Sequence, residues 1–64
     1  MTKQVINDIQ YEYIVNNWDN ISFNGFVSWL NFNWDNICLV YNLSPIGYDA
    51  RVNKSKLIKY ALGS

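Results

Sequence analysis

The chain contains no histidine and a single cysteine, Cys38. Without His there is no Ser-His-Asp arrangement, no Cys-His pair and none of the usual zinc ligand sets. One cysteine cannot close an internal disulfide, and in an apolar run it reads as a small buried side chain rather than a nucleophile. Charge is equally scarce: 16% of the 64 residues are charged, against about 25% in ordinary domains. Five basic residues balance five acidic ones, which removes long-range steering toward nucleic acid or anionic membrane and weakens protection against self-association. No stretch is long and apolar enough to span a bilayer. Met1-Thr2-Lys3-Gln4 leads into Asn7 and Asp8 rather than an apolar signal core, so the expected location is cytoplasmic, the host cytoplasm if a phage encodes the chain. The five carboxylates are Asp8, Glu12, Asp19, Asp35 and Asp49. Too few hard ligands gather among them for a metal site, and neither catalysis nor a cofactor is expected.

What the chain has is apolar and aromatic. Half of it is hydrophobic, 17% is aromatic, and the length fits one domain, residues 1–64, near the size at which a single core is only marginally stabilising. Three Trp and five Tyr exceed what so small a core can bury. Some must reach the surface, where such side chains mark protein interfaces. Abundant Asn, Ile, Tyr and Lys beside one Arg and one Pro is the composition of an AT-rich genome, such as those of low-GC bacteria and their phages and plasmids.

One pentapeptide occurs twice: Asn17-Trp18-Asp19-Asn20-Ile21 and Asn33-Trp34-Asp35-Asn36-Ile37. Between the copies lies Asn24-Gly25 with apolar flanks, a strong hairpin signal because both residues tolerate positive φ. Each copy therefore reads as a turn entering a strand, with its Trp beside the core. Around this centre, Val5, Ile6 and Ile9 keep helical spacing and allow a short N-terminal helix capped by Thr2. Tyr11, Tyr13 and Val15 then alternate with polar residues as in a strand. Were the helix instead to run on to Trp18, apolar residues would lie on two opposed faces, and one of them would need a second partner. Phe26 to Phe32 reads as the second hairpin strand, Ile37 to Leu43 as a central strand, and Ser44-Pro45-Ile46-Gly47 as a tight turn. Tyr48, Ala50 and Val52 alternate as a last strand, a helix from Asp49 being the competing reading. A C-terminal helix follows, capped by Asn53 with Val52 and Leu57 as a hydrophobic staple, burying Leu57, Ile58, Ala61 and Leu62 and stopping at Gly63. The expected fold class is α+β: a small antiparallel β-meander packed against a C-terminal helix, with room for a short N-terminal one.

The expected function is a non-enzymatic protein-protein interaction module. It would dock a Trp/Tyr-rich sheet face carrying Trp18, Trp29, Trp34 and Tyr41 onto another protein, in the manner of a small phage- or mobile-element-encoded inhibitor of a host or defence protein. A second reading is single-stranded nucleic-acid binding, with Arg51, Lys54, Lys56 and Lys59 on phosphates and aromatics stacked on bases. A third is an obligate homodimer whose aromatic surface is covered by its own partner.

Overall fold

Periodicity near 3.6, not 2, governs where the apolar side chains go. The computed structural model describes residues 1–61, and among them every regular element is a helix: α1 (Lys3–Asn16), α2 (Phe23–Phe32), α3 (Trp34–Tyr41) and α4 (Tyr48–Lys59). The α+β meander is thus corrected to an all-α, four-helix domain. Leu62 and Gly63, named above as part of the C-terminal helix and its stop, lie outside the described residues.

Thr2 caps α1, its hydroxyl accepting from the Val5 N–H at 3.3 Å. The helix does not stop at residue 10. Ile6, Ile9 and Tyr13, spaced three and four apart, form one buried stripe, so the alternation of Tyr11, Tyr13 and Val15 is incidental. Tyr13 turns inward while Tyr11 and Val15 stay exposed on the opposite side.

α2 replaces the expected hairpin. Ser22 is its N-cap, Oγ accepting from the Gly25 N–H at 2.9 Å, which satisfies one of the orphan donors of the first turn. Asn24 and Gly25 are therefore helical. Phe26 and Leu30, four apart, face the core. Gly25 is needed for space: a β-carbon there would lie 2.5 Å from the Tyr13 hydroxyl and 2.8 Å from Ser22 Oγ. That hydroxyl, buried with its ring at 1% exposure, accepts from the Ser22 N–H and faces the carbonyls of Asn20 and Ser22, each at 3.3 Å. One side chain thereby fastens the α1–α2 connection and the start of α2.

The putting of Ile37 to Leu43 in a strand also gives way to a helical stripe. Trp34, Ile37 and Cys38 are buried on α3, with Tyr41 half-buried one turn on. The helix ends at Asn42 in the left-handed region, φ 57, and the Leu43 N–H reaches back to the Cys38 carbonyl at 2.8 Å, a Schellman-type ending. Residues 43 to 47 connect to α4, which starts at Tyr48 behind Gly47, whose φ of 90 suits glycine. The strand over 48–52 is absent, and Asn53 lies inside α4 rather than at its cap. Ala50, Leu57 and Ala61, seven and four apart, are the buried side of this segment, a helical spacing that strand alternation cannot place on one face.

Candidate interaction surface

The two pentapeptide copies begin alike. Asn17 closes α1 and Asn33 closes α2; each donates both its backbone N–H and its side-chain amide to the carbonyl four residues earlier, Tyr13 for one and Trp29 for the other. After that first residue they part. Trp18 stands in the α1–α2 connection, 74% exposed, whereas Trp34 opens α3 at 4% exposure. The second copy can continue as a helix because Asn33 is at once the end of α2 and the N-cap of α3, its carbonyl accepting from the Ile37 N–H at 2.9 Å.

The four side chains expected to share a sheet face do not share one, Trp18 and Trp34 standing apart while Trp29 and Tyr41 border one furrow, and there is no sheet among the described residues to carry them. Trp34 is a core group. Its indole Nε1 donates to the Pro45 carbonyl at 3.0 Å, binding the α3–α4 connection to the base of α3. Trp29 is half-buried in an aromatic cluster, its ring centroid 5.5 Å from Tyr13 and 6.1 Å from Phe26. Tyr41 is half-buried beside α1. Burial first, then the carboxylates of Glu12 and Asp8, hold its phenol above the ordinary value of 10.0, so that side of α1 is electronegative.

A furrow runs between α1 and α3. At one end Tyr11, Val15 and Tyr41 line it beside Asp8 and Glu12; at the other Glu12 and Asn16 meet Trp29, Asn33 and Asn36. Asn16, Asn17 and Asn33 spend an amide hydrogen on the carbonyls of Glu12, Tyr13 and Trp29. Their Oδ1 atoms are left as acceptors, a bias that the nearby carboxylates reinforce.

The basic residues expected on one face are also divided. Lys54 is engaged within the fold, Nζ donating to Asn31 Oδ1 at 3.1 Å and lying 5.1 Å over the Trp34 ring. Arg51, Lys56 and Lys59 are exposed on α4, where Lys56 and Lys59 complement the helix C-terminus. A cleft of about 510 Å³ between α1 and α4 is lined by Lys3, Ile6, Asn7, Gln10, Lys56 and Tyr60. Among the described residues no three of His, Cys, Asp or Glu gather where a metal could be held. Cys38 is buried, and burial first, then Asp35, raises its thiol above 9.0 against the opposing pull of Lys54.

Sequence reasoning missed several strongly exposed apolar groups. Phe32, at the end of α2, is 90% exposed, and Leu39 and Val40 on α3 are 81% and 64% exposed. A helical reading would have found them, since Leu39 and Val40 lie opposite the Trp34, Ile37, Cys38 stripe. Tyr11 and Val15 were accessible to the two-faced helix that the strand reading displaced.

The fold defines a small all-α domain, with no helix among the described residues long and apolar enough to cross a membrane. No family model, no curated protein and no solved structure matches the chain.

Proposed function

We propose that the chain is a non-enzymatic protein-interaction module that docks onto another protein through Phe32, Leu39 and Val40. The observation that carries this reading is the balance of burial. Among the described residues, eleven large hydrophobic side chains are exposed and eleven residues form the core. Single exposed apolar residues are ordinary, but this proportion in a weakly charged chain is not. Phe32 and Leu39 stand seven residues apart across the Asn33 junction, with uncharged Asn31 and Asn36 beside them; the nearby charges are Asp35 in sequence and Lys54, whose Nζ is engaged by Asn31 Oδ1. Depletion of charge around large apolar groups is the composition of an interface centre. The AT-rich composition favours a phage or mobile element as the setting, with a host protein as partner.

The test is capture by the immobilised chain from lysate, washed at high salt, beside a Phe32→Ser, Leu39→Ser variant. Both replaced side chains are solvent-exposed, so the variant is expected to keep its helicity and melting temperature. One stoichiometric protein, retained through the salt wash and lost with the variant, is the expected result. Recovery of nucleic acid alone, released by salt, would overturn it and turn attention to Arg51, Lys56 and Lys59.

A further inference from the structure

The net charge of zero conceals a separation. Asp8 and Glu12, both half-buried, lie one turn apart on α1 in the lining of the α1–α3 furrow. On the outer side of α4, Arg51, Lys56 and Lys59 surround a shallow apolar strip floored by Val52 and Ser55. Among the described residues none of these five side chains forms an ion pair: Asp8 accepts from Gln4, and Lys59 lies over the Tyr60 ring at 5.5 Å.

The two surfaces also match in length. The furrow offers acceptors and negative charge over Asp8 to Asn16, and the ridge offers cationic donors over Arg51 to Lys59. At 1.5 Å per helical residue, each extends about 12 Å. The furrow's apolar members, Tyr11, Val15 and Tyr41, would lie against Val52 and the aliphatic stems of the lysines, which can cover apolar surface while their charged heads reach carboxylates. The Asn Oδ1 atoms at the far end of the furrow suit the multiple donors of Arg51.

We propose that the chain self-associates head to tail, with the α4 ridge of one copy lying in the α1–α3 furrow of the next. The contact is heterologous: each copy uses two different surfaces and leaves one of each free, so assemblies close into rings or grow with concentration. It does not use Phe32 or Leu39, although Asn36 borders both surfaces, and it is tested separately from the function proposed above.

The experiment is sedimentation velocity on the full chain over a concentration series at low and high salt. Two charge-reversed variants accompany it, Asp8→Lys with Glu12→Lys in the furrow and Lys56→Glu with Lys59→Glu on the ridge, each checked for helicity by circular dichroism. The wild type is expected to gain mass with concentration at low salt and lose that gain at high salt. Each variant alone is expected to remain a monomer, because its furrow and ridge then carry the same sign. Mixing the two restores opposite signs at every contact and is expected to restore the mass gain. A wild type that stays monomeric at low salt, reversed variants that still associate, or a folded mixture that remains monomeric would each overturn the proposal. Should a variant not fold, the salt dependence of the wild type decides alone, association indifferent to salt counting against it. Retention of self-association by the Phe32→Ser, Leu39→Ser variant separates this contact from the other surface.

Discussion

The Tyr13 hydroxyl occupies the space where residue 25 would carry a side chain, so these two positions are energetically one site. Gly25→Ala is expected to cost about 1 to 3 kcal/mol by overpacking, although alanine is the better helix former. In a Tyr13→Phe background the penalty should shrink, since the contact at 2.5 Å is removed and only Ser22 Oγ at 2.8 Å remains. Urea unfolding of the double-mutant cycle measures the difference; additive effects would refute the coupling. The tryptophans provide a second residue-level contrast. Trp34→Ala removes a buried ring and its bond to Pro45, and a loss of about 3 to 5 kcal/mol is expected. Trp18→Ala should stay within about 0.5 kcal/mol in the same unfolding measurement. A binding assay on Trp34 replacements would therefore report unfolding rather than recognition.

At the scale of elements, helix ends decide the architecture, and asparagine makes half of them. Asn17 and Asn33 each satisfy a terminal carbonyl twice, and replacing either with Ala is expected to cost about 0.5 to 1.5 kcal/mol by thermal or chemical denaturation. Asn42 holds a left-handed conformation, so Asn42→Ala should cost about 1 to 2 kcal/mol while Asn42→Gly is close to neutral. These ends also explain what was legible beforehand. The Thr2 cap and the existence of helices near both ends follow from local spacing and were readable. Over 23–32 the strand template had to accept Ser28 among its apolar positions, whereas Phe26 and Leu30, four apart, meet the helical one. Asn24-Gly25 outweighed that pattern because its turn chemistry is strong, and the competing cap, Ser22, gains its meaning only from the helix behind it. The pentapeptide misled for a related reason: its letters are equal, but the first copy runs on into a connection and the second into a helix, because Asn33 is both the end of α2 and the N-cap of α3. Of the surface, that some of Trp18, Trp29, Trp34 and Tyr41 reach it was readable but not which, while Phe32, Leu39 and Val40 were hidden by the wrong period.

At the scale of the whole molecule, two groups among the described residues hold their protons more tightly folded than unfolded. Cys38 is raised above 9.0 and Tyr41 above 10.0, burial being the first cause in both. A raised value means that the folded chain keeps its proton while the unfolded chain releases it, so unfolding becomes more favourable as pH rises past the unfolded values. Melting temperature is expected to be level in this respect below about pH 9 and to fall above it, with the Cys38→Ala chain losing the earlier part of the decline. The same burial predicts that Cys38 reacts with a thiol reagent at the rate of opening, and hence far faster in denaturant. With one small core to lose, opening and global unfolding should coincide.

One consequence of the unequal pentapeptides is immunological. An antibody raised against the free peptide Asn-Trp-Asp-Asn-Ile would find the first copy displayed, with Trp18 projecting into solvent, and the second concealed, with Trp34 and Ile37 packed inward. Native protein should titrate with one binding site per chain and denatured protein with two, which makes such a reagent a direct counter of unfolded molecules.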